Sequence, residues 1–510
     1  MRRLNLTLAG LAATAALAGC SLPSPTAAPE NPTTPATAAT VTAAEVLAAN
    51  EDATTVNDDE WSMADAVDIA LTGSSATTTA EGVTVDGNTV TITAAGVYRL
   101  SGSLAGQVVV DGPEDTLVVL VLDGVEIASS STAAIGVLSA DDVGVYLVDG
   151  TTSTLADTGN YPEDSDVNAA LFSEQDLTIS GTGSLTVTGN GNDGITSEDD
   201  LVILSGTITV TAVDDGLRGK DSLTVEGGTI TVTAGGDGLK ADNEDEDTRG
   251  YLELTGGTIG VTAGDDGVDA ETDVVITGGE LTVTTSAVDT GEATSKGVDA
   301  GAVLIIENGS VTVTASVEAL EAATVVIAGG TVDLTTSDDG INASTGTGES
   351  MQADAGASLE ISGGTVTIDA EGDGLDSNGT LQISGGATTV HGPTRGGNGA
   401  IDSNGGITIT GGRLVAFDTG DMAEAPGTSG QGWLIAAVSG GAGDTVTIAD
   451  ASGNTIADVT AAKAFGSVTF SSAEVTNGES YQVVGPAGSG TVTAGEGGMG
   501  GRGGGPRRNR

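Results

Sequence analysis

The stretch Leu223-Thr-Val-Glu-Gly-Gly-Thr-Ile-Thr-Val-Thr-Ala-Gly-Gly-Asp-Gly-Leu239 decides the fold. Its apolar residues alternate with polar ones over two short runs, so each run buries one face. Thr and Val at this density favour strands over helices. The glycines and the Asp-Gly step between the runs are turn chemistry. The opening phrase recurs as Asp176-Leu-Thr-Ile-Ser-Gly, Leu201-Val-Ile-Leu-Ser-Gly, Leu252-Glu-Leu-Thr-Gly-Gly, Val274-Val-Ile-Thr-Gly-Gly, Leu359-Glu-Ile-Ser-Gly-Gly, Leu381-Gln-Ile-Ser-Gly-Gly and Ile407-Thr-Ile-Thr-Gly-Gly. Where no insertion intervenes the period is roughly 22 residues, enough for a coil of three short strands and three turns stacked on the next coil. A propeller blade would need roughly 40. A sandwich would not repeat its sequence so literally. The expected fold is therefore all-β, a right-handed parallel β-helix (a solenoid) with β caps at its N-terminal and C-terminal ends.

Outward from the repeat, the regular rungs are expected over residues 176–417. Residues 61–175 have the same strand character with looser spacing, from Asn88-Thr-Val-Thr-Ile to Gly144-Val-Tyr-Leu-Val, and read as N-terminal rungs and cap. After Asp418 the period fails, and Thr445-Val-Thr-Ile, Gly466-Ser-Val-Thr-Phe and Tyr481-Gln-Val-Val predict an antiparallel C-terminal cap over residues 418–490. Residues 491–510 form a Gly/Arg-rich tail without a core pattern. Residues 1–20 begin Met1-Arg2-Arg3, continue through an apolar stretch and end Leu17-Ala18-Gly19-Cys20, which reads as a signal peptide too short to span a bilayer permanently. Leu-Ala-Gly-Cys resembles the bacterial lipobox, which implies lipidation of Cys20 and an anchored protein on the extracellular face of the cell membrane. Residues 21–60, rich in Pro, Thr and Ala, read as an extended tether.

Composition narrows the function. The formal net charge is −57, from 72 acids against 15 bases in 510 residues, which makes nucleic acid an implausible partner. Hydrophobic residues in strand alternation, 38% of the chain, separate it from the disordered class. His391 is the only histidine and Cys20 the only cysteine, which excludes Ser-His-Asp and Cys-His triads and multi-histidine zinc sites. Aromatic residues make up 2% of the chain, and Trp61 and Trp433 lie outside the repeat, so the chain has too few rings for a row of stacking platforms on crystalline cellulose.

One corner of each rung is acidic. Asp214-Asp215-Gly, Asp237-Gly, Asp265-Asp266-Gly-Val-Asp269 and Asp338-Asp339-Gly are its clearest copies, with Asp242 and Asp299 nearby. Stacked rungs lie about 4.8 Å apart, and two unit charges at that distance repel by roughly 1 kcal/mol in water and several times more at lower dielectric. Calcium, with six to eight oxygen ligands at about 2.4 Å, fits between two such rungs. Asp-Gly is also plain turn chemistry, so solvated, cation-free carboxylates are the competing reading. The scarce bases Arg218, Lys220, Lys240 and Lys296, with Arg249 and Tyr251, cluster in the same rungs. They suit an anionic sugar bridged by calcium, or ordinary surface ion pairs.

At this point the chain resembles bacterial carbohydrate-binding β-helix lipoproteins of the cellulose- and pectin-binding type, related in fold to calcium-dependent pectate lyases. The resemblance is carried by Gly96-Val-Tyr-Arg-Leu-Ser-Gly102, the rung phrases with their Asp-Gly-Leu/Ile/Val turns, and Gly411-Gly412-Arg413-Leu414 followed by Met422-Ala423-Glu424, and it covers roughly Trp61 to Val484. It implies extracellular binding of plant-type or acidic polysaccharide with calcium. In the related lyases an aspartate cluster holds calcium and a lysine removes the proton α to the uronate carboxylate. Asp265, Asp266 and Asp269 look like such a cluster, with Asp237 or Asp242 from the preceding rung, and Lys296, then Lys240, would be the base. A site dense in carboxylates raises a lysine pKa, which argues against catalysis unless calcium neutralises the site first. Three functions follow: a monomeric carbohydrate-binding lipoprotein without catalysis, a calcium-dependent polysaccharide lyase acting by β-elimination, or a structural, adhesive stalk.

Overall fold

The computed structural model describes residues 41–162, 165–286, 294–346 and 352–497. These residues belong to a compact unit that begins at Val41. The expected signal peptide, Cys20, the first half of the expected tether and most of the Gly/Arg tail lie outside the described residues.

The described residues are all-β with almost no helix, and among them one long, mostly parallel sheet takes in 39 strands. Through the regular repeat each strand pairs in parallel with the strand one rung later, which is the pairing of a solenoid. The leading residue of each recurrent phrase stacks on its equivalent: Leu177 on Leu201, Leu223, Leu252, Val274 and Leu304. These strands make the first stack. The second stack carries Leu185, Ile208, Ile230, Ile259 and Leu281 in register. The third, of very short strands, carries Ile195, Leu217, Leu239, Val268, Val298 and Leu320. All three columns point inward and are essentially inaccessible to water, forming one continuous core. Each buried Leu, Val or Ile contributes about 1.5–3 kcal/mol.

The corner between the first and second stacks is the Gly-Gly step. At Gly279 the backbone is left-handed (φ 80°), and an added Cβ would lie 2.7 Å from the Gly256 carbonyl oxygen of the previous rung. Both facts demand glycine there. After Arg413–Asp418 the stacking changes sense: that strand pairs antiparallel with Ser467–Ser471, as does Trp433–Ala436. Thr445–Ala449, Thr455–Thr460, Ser480–Gly485 and Gly488–Thr493 then form a separate four-stranded antiparallel sheet. The three strands expected after Asp418 occur within a residue or two of where the alternation places them.

Residues 41–60 depart from the free tether that their composition suggests. A capping box, Thr42 with Glu45, starts the short helix Ala43–Leu47, and Ala43 and Val46 pack on Val275, Ile305 and Val326, outward residues of the first stack. The strap then runs along that stack. Asn50 donates to Asp273 (2.9 Å), the Thr54 amide to Asp200 (2.8 Å) and the Val56 amide to the Thr178 hydroxyl (2.9 Å).

Candidate functional site

The third stack and the corner that precedes it carry two ladders of polar side chains. On the strand itself the outward positions in register are Arg218, Lys240, Asp269, Asp299 and Glu321. They follow from a period of two: the residues on either side of each are apolar or small and face inward.

The second ladder is the Asp-Gly corner. Asp193, Asp215, Asp237 and Asp266 each accept, through Oδ1, the backbone N–H of the equivalent residue one rung on. The distances are 3.2 Å to Asp215, 2.8 Å to Asp237, 2.9 Å to Asp266 and 2.6 Å to Lys296. Asp339 does the same for Asp373 at 2.6 Å. The backbone turns away from its own ladder at this corner, and the carboxylate supplies the missing acceptor. One oxygen of each corner aspartate therefore holds the stack together, while the other faces side chains: Asn168 and Thr196 at Asp193, and Lys240 at Asp215 and Asp237.

The basic residues are tied to these acids. Lys240 Nζ lies 2.6 Å from Asp237, 3.2 Å from Asp215 and 4.0 Å from Asp269. Lys296 stands where the preceding rungs have the corner aspartate and the next rung has Glu318; its ammonium bonds Asp299 and lies 2.9 Å from Glu321. Arg218 grips Glu198 at 2.7 Å and both oxygens of Asp242 at 3.0 Å, and Lys220 reaches Glu198 at 3.8 Å. Burial alone would lower both lysines, yet the facing carboxylates outweigh it, and Lys240 and Lys296 sit above the ordinary lysine range.

Among the expected metal ligands, the structure brings together Asp266, Asp269 and Asp299, with carboxylate oxygens all within 4.8 Å of one another. Burial, then the charges of Asp299, Asp237 and Asp269, pushes Asp266 up to about 8. Burial and the Asp237 charge push Asp269 up to about 7. Asp299 is raised too, chiefly by burial. Asp339, farther along, is raised to about 8 by burial and by Asp338. Asp214 and Asp338 are exposed beside the corner and Asp265 stands outside the convergent trio, while Asp242 is taken up by Arg218.

Tyr251 lies elsewhere. It belongs to the first stack, is 4% exposed and donates its hydroxyl to the Glu51 carbonyl of the strap at 2.9 Å. Its ring is covered and offers no platform for a sugar. Beneath the strap the structure also assembles a group that the sequence reading passed over: Asp176, Asp199 and Asp200, again with oxygens within 4.8 Å. They line a cleft of ≈ 160 Å³ with Asp221, Arg249 and Tyr251. Burial together with its bond to Asp221 raises Asp199 to about 7. The signal was present, since Asp176 and Asp200 immediately precede Leu177 and Leu201 in successive rungs and Asp199 is followed one rung on by Asp221, but it sits at a different corner from the Asp-Gly repeat.

A family model described as carbohydrate-binding domain-containing protein matches residues 86–340. A relative of the same description from Acetivibrio thermocellus is 39% identical over 137 residues, which are 26% of this chain and 48% of the relative. The chain thus spans about half the length of the curated relative it matches. A solved structure, the polysaccharide lyase-like protein from C. thermocellum in its gadolinium derivative, is 36% identical and covers 49% of this chain and 96% of its own, with a TM-score of 0.43. The family match takes in half of the sequence, including the rungs from Asp193 to Asp339 that build both acidic ladders, and the chain belongs to the carbohydrate-binding domain-containing family.

Proposed function

We propose that the protein is an extracellular, lipid-anchored binder of acidic polysaccharide, pectin-like in charge, that holds its ligand through calcium and does not cleave it. The observation that carries this reading is the convergence of Asp266, Asp269 and Asp299 within 4.8 Å beside two lysines already bound to carboxylates. Two oxygens on opposite sides of one calcium ion lie about 5 Å apart, so the trio fits a single ion with positions left for other oxygens. The raised carboxylates point the same way, because a divalent cation offsets the repulsion and desolvation that raise them. Uronate oxygens of the polysaccharide would complete the coordination. Lys240 and Lys296, held charged by their partners, are poor bases for abstracting a proton at neutral pH, which favours binding over β-elimination.

The remaining parts of the reading are a right-handed coil, caps at both ends, a monomeric body and lipidation at Cys20. The test uses the chain without its signal peptide, incubated with polygalacturonate in calcium and in chelator. Retention that needs calcium, with no ultraviolet absorbance from unsaturated uronates, is the expected result. Accumulating absorbance that disappears in Lys296→Ala would make the protein a lyase, and calcium-linked stability without retention would make it a stalk.

A further inference from the structure

We propose that the outward face of the second stack is an ice-binding surface. Its outward residues form three columns in unbroken register, with Thr207, Thr209 and Thr211 on one rung opposite Thr229, Thr231 and Thr233 on the next. Thr258 and Thr262 extend the outer columns, with Gly260 between them, and Ser184, Thr186 and Thr188 precede them. All eight threonines from Thr207 to Thr262 are exposed. Among the described residues none of their hydroxyls has a hydrogen-bond partner. The pairings that stack these rungs, from Thr152–Ala156 to Glu280–Thr285, carry no register shift, and the first slip comes one rung later, between Val283 and Thr284.

Strand propensity does not account for this face. The first stack has the same backbone and presents Thr178, Val202, Thr224 and Glu253 outward, while the third presents Arg218, Lys240 and Asp269. Only the second is built mainly of threonine, broken by Ser184 and Gly260, and in a chain of net charge −57 these rungs carry no charge on it until Glu280. Each threonine offers one methyl and one hydroxyl. The columns repeat at about 4.8 Å between rungs and about 6.6 Å along each strand, a lattice in two dimensions. A single solvated polymer chain matches one repeat at most. Crystalline ice presents rows of oxygen at repeats close to both, is uncharged, and accepts hydroxyls into its hydrogen-bond network while methyls occupy the gaps between rows. The absence of aromatic and amide side chains from these columns removes the groups that a sugar-ring platform would use.

This function is independent of the calcium ladder, which lies on another stack. The test grows ice slowly through a solution of the signal-less chain and measures the fraction incorporated, together with thermal hysteresis in a nanolitre osmometer. Wild-type protein should enter the ice and shape the crystals. The double variant Thr209→Tyr/Thr231→Tyr keeps strand-favouring residues and should lose at least tenfold in incorporation, with an unchanged circular dichroism spectrum. Val213→Tyr, at a residue 62% exposed and off the columns, should behave as wild type. Exclusion of the wild type from ice, or equal incorporation of the double variant, would overturn the proposal. So would retention on an insoluble neutral glycan that the double variant loses while ice incorporation does not change, because the face would then be a glycan platform.

Discussion

Replacing Asp237 separates the two duties of a corner carboxylate. Its Oδ1 accepts the Asp266 amide at 2.9 Å, its Oδ2 faces Lys240 at 2.6 Å, and the residue is 6% exposed. In Asp237→Ala the Asp266 amide loses a charged acceptor at a buried corner, a loss of about 1.5–3 kcal/mol. Lys240 keeps Asp215 at 3.2 Å, so its ammonium is not stranded and adds little. A local destabilisation of about 2–3 kcal/mol corresponds to roughly 30- to 150-fold faster opening of that corner. Asp237→Asn retains an oxygen acceptor without the charge and should cost about 1 kcal/mol, roughly fivefold. Hydrogen exchange at the Asp266 amide reads this locally, which suits a solenoid whose rungs need not unfold as one unit. Unchanged exchange in Asp237→Ala would refute the claim that the carboxylate ties one rung to the next. Equal effects of Ala and Asn would show that charge, rather than the hydrogen bond, is what matters.

Other measurements bear on the strap, the corners and the cation. Asp266, Asp269 and Asp339, with folded values near 8, 7 and 8, lie above the ordinary carboxylate range. Raised acids contribute stability that is fully present below their unfolded pKa and is lost as pH rises through the folded one, so the calcium-free protein should melt lower at pH 8.5 than at pH 5, to be checked by scanning calorimetry. Saturating calcium should abolish that decline if it binds here. Val46→Ala removes two carbons packed on Val275, Ile305 and Val326 and should cost about 1–2 kcal/mol, seen as faster exchange in residues 41–56 with the rungs beneath unaffected. Gly279→Ala forces a Cβ into left-handed backbone against the Gly256 carbonyl and should cost well above the ~1 kcal/mol of an ordinary Gly/Ala exchange, measured by urea denaturation.

Much of the fold was legible because a solenoid repeats its local physics. The inward residue of each phrase, Leu201, Leu223, Leu252 and Val274, stacks on its own copy, so periodicity in the chain becomes register in space. The corner aspartates were equally visible, although their bonding to the next rung's amide was not, since that depends on where the backbone N–H points. Composition hides the strap, because residues 41–60 carry no period and have no core of their own. A trace of it existed in the outward positions of the first stack, which turn apolar at Val275, Ile305 and Val326 and so call for a cover.

By itself the sequence determined the all-β class, the three-strand rung and the acidic corner, all set by alternation and spacing within about 22 residues. Only the tertiary structure decided which of the many carboxylates meet. Asp266, Asp269 and Asp299 converge while Asp214 and Asp338 stay in solvent, and Asp176, Asp199 and Asp200 gather at another corner beneath the strap. It also sent Tyr251 under the strap and fastened Lys240 and Lys296 to acids. The reason is that rung spacing fixes backbone positions, whereas side-chain encounters depend on which corner each residue turns toward and on a segment distant in sequence that docks across the rungs.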